Sequence, residues 1–244
     1  MKKLLISLAL GVGLLFGGNA VIAQTPADGM VTGATQNYPE CMRPIMKVVG
    51  STREGRSKVA GVMVLVFKQR VVFLADCTAQ SNPTTEDLAD IAVSTAELYR
   101  RLMKKEPRVA FLSYSNFGSN RSDSPSSVAA ALKLAKKMDP TLIADGEMQA
   151  DVATNHEIMK TLFDFCTLDK SADVLVFPDL NSANISYKLL VQLGGATPVG
   201  PILLPLQYAI NIVQRTATTE EIVNMAHLTA LISQEIKTGQ TAKH

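Results

Sequence analysis

Residues 109–119 constrain the fold more than any other stretch of the chain. An apolar run follows the charged residues 104–108 and passes into small hydroxyl residues and glycine, a pattern typical of a buried strand that ends in a polar loop. In an open α/β sheet, ligands bind outside the carboxyl ends of the strands, so this loop is a candidate anion site. The alternative is that its serines only cap a turn. The candidate binding residues are Ser113, Ser115, Asn116, Gly118 and Ser119.

The rest of the chain predicts strands and amphipathic helices in alternation. Two β-branched runs, residues 61–67 and 70–75, indicate a hairpin or two adjacent strands. Apolar residues recur at helical spacing over residues 88–102, and capping-box patterns at 84–87 and 218–221 mark the starts of two helices. Because strands and helices alternate from residue 109 onward, we expect a layered α/β fold with a largely parallel sheet.

Two further loops follow predicted strands and carry polar side chains, at residues 145–151 and 178–184. Because the carboxyl ends of parallel strands meet at one edge of a sheet, we expect these loops and residues 113–119 to surround one ligand. The candidate binding residues in these two loops are Asp145, Glu147, Gln149, Asp151, Asp179, Asn181 and Asn184.

Charge and cysteine content exclude several classes of protein. A net charge of +2 gives no electrostatic footprint for nucleic acid, so we expect no nucleic-acid partner. Cys41, Cys77 and Cys166 are widely spaced, which argues against a zinc site and a disulfide framework, and we predict no metal. Cys77 beside Asp76 either belongs to a site or is a small buried apolar residue. The chain has no nucleophile-elbow motif and no phosphate-cradling glycine loop followed by lysine.

The first 23 residues differ in character from everything that follows. Two lysines precede the apolar residues 4–16, and residues 21–23 are acceptable at a cleavage site. We predict a signal peptide, a mature chain from Gln24, and export to the periplasm if the leader is used. The alternative is an uncleaved apolar helix.

Six segments, in chain order, resemble the phosphate acetyl/butyryl transferase family, and the resemblance runs from about Ala27 to Glu235. Within that family the chain is most similar to the phosphotransacetylase-like C-terminal domain of NADP-dependent malic enzymes. The motifs Ser-Asn-Phe-Gly-Ser at 115–119 and Gly-Glu-Met-Gln-Ala-Asp at 146–151 are characteristic of that domain. The six segments are residues 27–31, 83–84, 112–119, 145–151, 177–185 and 200–203.

The resemblance implies an isocitrate-dehydrogenase-like fold and transfer of an acetyl group between acetyl phosphate and coenzyme A. It also implies no covalently bound cofactor, with coenzyme A or acetyl-CoA as substrate or ligand. The family works where acetyl-CoA is found, so it favours the cytoplasm as the alternative location.

The family's catalytic segment has the form Ser-Arg-Gly, followed by an aspartate at the start of the last helix. Here the corresponding residues are Gln214, Arg215 and Glu221. The chemistry needs a base for the thiol proton and donors for the phosphate, and Arg215 remains as a phosphate clamp. Glutamine in place of the serine resembles the malic-enzyme version, a regulatory domain that binds acetyl-CoA and oligomerises. Three interpretations follow: a ligand-binding domain with impaired catalysis, an active phosphate acetyltransferase, or an oligomerising fragment without ligand.

The family's first domain would precede Ala27, where this chain has only the leader-like segment. We therefore predict that residues 24–244 form a truncated family domain that lacks most of the first subdomain. Apolar surface normally covered by that subdomain then requires a partner. We expect either a homo-oligomer or a separate chain that supplies the missing part.

Overall fold

A computed structural model describes residues 27–48, 59–204 and 208–241. The predicted leader at 1–23 and its cleavage point before Gln24 lie outside these residues. Within them, no helix combines the length and the apolar character needed to cross a bilayer.

The described residues form eight strands and seven helices. The strands are β1 (Gly29–Gly33), β2 (Ala60–Val66), β3 (Val71–Ala75), β4 (Val109–Leu112), β5 (Ala144–Met148), β6 (Val174–Val176), β7 (Thr197–Leu204) and β8 (Ala209–Val213). The helices are α1 (Tyr38–Val48), α2 (Thr85–Met103), α3 (Asp123–Met138), α4 (Ala150–Thr154), α5 (His156–Leu162), α6 (Leu180–Gln192) and α7 (Thr219–Thr241).

All eight strands belong to one sheet, in the order β1-β8-β7-β2-β3-β6-β4-β5. The pairs β3–β6, β6–β4, β4–β5 and β1–β8 are parallel, whereas β2–β3, β2–β7 and β7–β8 are antiparallel. The predicted α/β class and largely parallel sheet are therefore confirmed. Three antiparallel pairings in the middle of the sheet give β8 and β1 the opposite direction to β3, β6, β4 and β5.

The core lies on both faces of the sheet. On one face, alternate residues of β2 and β3 such as Val62 and Phe73 pack with helices α2, α3 and α7. On the other face, Met63 and Leu74 pack with α4, α5 and α6, and a smaller cluster joins Ile45 of α1 to β7 and β8. Helices on both faces follow from strands whose two sides are apolar, as Val109–Leu112 is throughout.

Several local predictions are confirmed. Thr84 caps α2, and the Asp87 carboxylate completes the predicted capping box. The predicted hairpin is present, since β2 and β3 pair side by side. The α3 helix carries Pro125 within its first turn, where a missing N–H costs little.

Candidate functional site

The loops after β4 and β5 are held together by the buried carboxylate of Glu147, which is 3% exposed. Its Oε1 accepts hydrogen bonds from Ser115 Oγ at 2.8 Å and from the Gly118 backbone N–H at 2.7 Å. Gly118 has φ +83°, a conformation that favours glycine, and this places its N–H on the carboxylate. The sequence therefore predicted correctly that these two loops meet, and their polar groups bind each other.

A second set of bonds joins the same loops nearer the surface. Asn116 Oδ1 accepts from the Gln149 N–H at 2.7 Å, and Gln149 Nε2 donates to the Tyr114 carbonyl oxygen at 2.6 Å. Ser119 Oγ lies 3.1 Å from Ser115 Oγ and accepts from the Asn116 N–H at 3.0 Å. The loop is thus a rigid hydrogen-bonded unit, and a ligand role for its side chains stays a prediction.

The remaining acidic residues of this region lie in two different surroundings. Asp145 Oδ2 accepts from the Thr167 N–H at 2.6 Å and from Thr167 Oγ1 at 2.9 Å, so it anchors the segment before β6. Asp151 is exposed in the first turn of α4, where a carboxylate is favourable. The three carboxylates predicted after one strand therefore do not form one cluster.

The third predicted loop, between β6 and α6, turns towards β3 instead. Asp179 caps α6 by accepting from the Ser182 N–H at 2.8 Å, and Asn181 is exposed. Asn184 Nδ2 donates to the Cys77 carbonyl oxygen at 3.1 Å. Within the described residues no hydrogen bond joins this loop to residues 113–119, although β6 and β4 are parallel neighbours whose carboxyl ends lie at the same edge of the sheet. A ligand shared by the three loops stays a prediction.

The turn after β3 is built around Asp76, whose carboxylate is 4% exposed. Oδ1 accepts from the N–H groups of Gly61, Thr78 and Ala79 at 2.8–3.1 Å, and Oδ2 accepts from Gln80 N–H at 2.8 Å. Burial outweighs these four donors and raises the pKa of Asp76 above its ordinary value. Asp76 fixes the turn that presents the Cys77 carbonyl and the Thr78 hydroxyl.

Gln214 and Arg215 follow β8 and contact two other elements. Gln214 Nε2 donates to the Tyr187 hydroxyl at 2.9 Å, and Arg215 Nη1 donates to Asn37 Oδ1 at 3.3 Å. Asn37 follows β1, and because β1 and β8 are parallel their carboxyl ends lie side by side. Arg215 is exposed, and no carboxylate of the described residues forms an ion pair with it.

A closed ring of contacts connects these residues to the Asp76 turn. The Tyr38 hydroxyl lies 3.3 Å from Thr78 Oγ1. The residue before Thr78 is Cys77, and its carbonyl oxygen accepts the hydrogen bond from Asn184 Nδ2. Tyr187 lies one helical turn after Asn184 in α6, and its hydroxyl accepts the hydrogen bond from Gln214 that closes the ring. Burial raises the pKa of Tyr38 to about 12, so its hydroxyl stays protonated at neutral pH. The ring joins the ends of β1, β3 and β8 to helix α6.

The ring lies on one face of the sheet, between α1 and α6. Gly61 pairs with Leu203 in register and alternates with Met63 along β2, so all three residues occupy the same face. Leu203 packs in the α1 cluster and Met63 in the α6 cluster. The two helices therefore pack on the same face of the sheet, and Arg215, which follows β8, is exposed.

Glu221 occupies the first turn of α7. Its Oε2 accepts from the Thr218 N–H at 2.6 Å, while the Glu221 N–H donates to Thr218 Oγ1 at 3.2 Å. This reciprocal pair is the predicted capping box. The Glu221 carboxylate, which is expected to correspond to the aspartate of the family's catalytic segment, thus also caps the amino end of α7.

The family model for phosphate acetyl/butaryl transferase matches residues 14–230. The chain belongs to this phosphate acetyl/butaryl transferase family. A solved phosphotransacetylase from Streptococcus pyogenes superposes with a TM-score of 0.80 at 31% identity, covering 95% of this chain and 67% of that protein. The fold of this family member is therefore that of the phosphotransacetylases.

Two kinds of curated relative share similar identity with this phosphate acetyl/butaryl transferase family member. The phosphate acetyltransferase of Clostridium acetobutylicum is 36% identical over 213 residues, covering 85% of this chain and 64% of that protein. An NADP-dependent malic enzyme of Rhizobium meliloti is 38% identical over 211 residues, covering 86% of this chain and 27% of the enzyme. The chain thus spans less than two-thirds of either relative, and these identities do not separate the two kinds.

Sequence reasoning missed four members of the ring in this family domain, namely Asn37, Tyr38, Thr78 and Tyr187. Each contributes one side-chain atom across a large sequence separation, and no local pattern marks such a contact. Asp76 carried a usable signal, because a carboxylate directly after an apolar strand must find buried donors.

Proposed function

We propose that this chain is a phosphotransacetylase-type domain that binds acetyl-CoA or an acyl phosphate and transfers acetyl groups slowly or not at all. Arg215 is the proposed phosphate clamp, since an exposed guanidinium with only a neutral amide partner is free to bind a phosphate bidentately. Asn37 orients that guanidinium. The proposed ligands are those of the family relatives and need no covalently bound cofactor.

One observation carries the proposal of weak catalysis: the groups at the expected catalytic positions are engaged elsewhere. Glu221 accepts the Thr218 N–H at 2.6 Å, so its carboxylate is held in the capping box at the start of α7. Gln214 replaces a hydroxyl with an amide, and that amide donates to Tyr187. A carboxylate held in a helix cap and a donor of altered chemistry both reduce stabilisation of the transition state.

The second candidate is an active phosphate acetyltransferase. The phosphate acetyltransferase of Clostridium acetobutylicum at 36% identity and the exposure of Arg215 support this alternative. Under this alternative, Glu221 leaves the capping box or uses its second oxygen as the base, and Gln214 turns away from Tyr187 to bind the phosphate. The predicted homo-oligomer, or a second chain that completes the cleft, belongs to this proposal as well.

The test measures thioester formation from acetyl phosphate and coenzyme A by the purified chain, with acetyl-CoA binding titrated calorimetrically on the same sample. We expect binding without turnover above the uncatalysed rate. Arg215→Ala removes a charge-assisted contact of about 1.5–3 kcal/mol and weakens binding by roughly tenfold to a hundredfold. Gln214→Ser is expected to raise turnover while leaving acetyl-CoA affinity within a factor of about three.

Substantial turnover by the unmodified chain would contradict impaired catalysis and establish the second candidate. Binding that is indifferent to Arg215→Ala would remove the proposed clamp. If neither binding nor turnover is found, and light scattering shows a defined oligomer, the interpretation as an assembling domain without ligand replaces both.

A further inference from the structure

A polar cavity lies at the opposite ends of the strands from the loops that follow β4, β5 and β6. It has a volume of about 410 Å³ and sits at the amino ends of β3, β4 and β6, within the size range of small-molecule sites. Its polar lining comes from Arg70, Arg108, His156, Lys170, Ser171 and Asp173. Strands β2 and β7 separate it from β8 and therefore from the Arg215 site.

The cations of this cavity are unequally neutralised. Arg108 binds Asp169 through two bonds, Nε to Oδ1 at 2.5 Å and Nη2 to Oδ2 at 3.0 Å, and lies 3.6 Å from Asp173. Arg70 donates to the Ala172 carbonyl oxygen at 2.7 Å, and among the described residues it forms no ion pair with a carboxylate.

Lys170 lies beside Asp169 and, after Arg108, helps to lower the pKa of that carboxyl, but within the described residues it forms no hydrogen bond or ion pair. Within the described residues, Arg70 and Lys170 therefore bring positive charge to the cavity with no carboxylate bonded directly to either side chain.

Two further polar groups of the cavity are free to bind a ligand. His156 Nδ1 is buried and has no hydrogen-bond partner in the described part of the chain. A buried polar atom left unpaired costs about 1–3 kcal/mol, so its presence in a folded chain calls for a partner. Ser171 also lines the cavity, and the N–H groups of the next two residues, Ala172 and Asp173, are already bound to the carbonyl oxygens of Ala153 and Arg108.

The remaining lining of the cavity is mostly apolar. It consists of Val71, Met103 and Tyr99, whose ring packs edge-on against Phe73 with centroids 5.0 Å apart. Burial and then the neighbouring Asp173 raise the pKa of Tyr99, so its hydroxyl stays protonated and donates to that carboxylate. A site lined by both cations and apolar side chains suits an organic anion better than a bare ion.

We propose that this cavity binds a small organic phosphate monoester. The phosphate lies between Arg70 and Lys170, with the Ser171 hydroxyl and His156 Nδ1 as further contacts, and the organic part lies against Tyr99 and Met103. Arginine forks and lysine point charges are the usual partners of phosphate oxygens. The site is independent of Arg215 and of the proposed acetyl chemistry.

The experiment titrates the full chain with ribose 5-phosphate by calorimetry, with ribose, inorganic phosphate and citrate as comparison probes. We expect ribose 5-phosphate to bind more tightly than inorganic phosphate, ribose not to bind, and affinity to fall with added salt. Lys170→Gln is expected to weaken binding about tenfold, whereas Lys170→Arg retains it. Lys133→Gln changes an equally exposed lysine on α3 and is expected to have no effect.

Several results would overturn the proposal. The absence of binding by both ribose 5-phosphate and inorganic phosphate at millimolar concentration refutes it, as does equal affinity in Lys170→Gln once thermal melts show that this variant is folded. Preference for citrate identifies a carboxylate site instead. Loss of ribose 5-phosphate binding in Arg215→Ala, but not in Lys170→Gln, assigns the phosphate to the other site.

Discussion

The side-chain amide of Gln214 donates a hydrogen bond of 2.9 Å to the hydroxyl oxygen of Tyr187, and this contact ties the end of β8 to the middle of α6. The same hydroxyl also accepts from Lys188 Nζ at 3.0 Å. Gln214 stands where the family resemblance places a serine, so a residue expected in the chemistry has a structural partner. The ring of contacts around Arg215 depends on this bond.

A double-mutant cycle isolates that bond. We expect Tyr187→Phe and Gln214→Ala each to lower the free energy of unfolding by about 1 kcal/mol, with a coupling energy of roughly 0.5–1.5 kcal/mol between them. Urea unfolding followed by circular dichroism measures all four proteins. Tyr114→Phe combined with Gln214→Ala serves as the control pair and should be additive, because no contact joins those residues. Additivity of the first pair would show that the bond contributes nothing.

Ser115→Ala tests the buried carboxylate that joins two loops. The substitution removes the hydroxyl that donates to Glu147 Oε1 at 2.8 Å and leaves Gly118 N–H as the other donor given for that carboxylate. We expect a loss of about 1–3 kcal/mol in the free energy of unfolding, because a buried acceptor loses a hydrogen-bond partner. Ser126→Ala on the exposed side of α3 is the matched control, expected to change stability by less than about 0.5 kcal/mol. A stable Ser115→Ala protein with altered ligand affinity would instead favour a direct binding role.

Gly61→Ala tests the close approach between β2 and the Asp76 turn. A Cβ atom at Gly61 would lie 1.7 Å from Thr78 Oγ1 and 3.1 Å from Thr78 Cβ, so the threonine must move. We expect the free energy of unfolding to fall by about 2 kcal/mol or more, because the displacement also breaks the contact between Thr78 and Tyr38.

The double variant Gly61→Ala with Thr78→Ala removes the obstructing hydroxyl. It should recover part of the loss relative to Gly61→Ala alone, as measured in urea. A double variant less stable than the sum of the two single changes would show that the clash is not with Thr78.

The lowered pKa of Asp139 predicts that the free energy of unfolding falls at acid pH. Burial opposes ionisation of Asp139, but hydrogen bonds from Thr141 and Arg100 outweigh it and lower its pKa below the ordinary value. A lowered folded-state pKa contributes stability that is fully present above the unfolded pKa of about 3.9 and is lost as pH falls through the folded pKa.

We therefore expect Asp139→Asn to lower the free energy of unfolding at pH 7 by about 1 kcal/mol, and the difference from the unmodified protein to shrink below pH of about 4. Urea unfolding at several pH values measures this difference. Asp164→Asn, at an exposed position, is the control and should show no such trend. A difference that stays constant down to the most acid pH would contradict the assignment.

Much of the fold could be predicted because its signals are local. The capping box of Thr84 and Asp87, the proline in the first turn of α3 and the apolar residues 109–112 each depend on neighbours a few residues away. The antiparallel middle of the sheet was not predicted. Pairing partners such as Gly61 and Leu203 are far apart in sequence, and register there is decided by packing on both faces.

For the candidate site, the sequence by itself determined which residue types follow each strand: Ser115 and Gly118 after β4, Glu147 and Gln149 at the end of β5, and Arg215 after β8. Hydrophobic period and turn chemistry suffice for that. The tertiary structure alone decided what those residues touch. Glu147 binds Ser115, and Gln214 binds Tyr187, because strand order and direction bring distant segments to within hydrogen-bond distance, and a hydrogen bond weakens steeply beyond that distance.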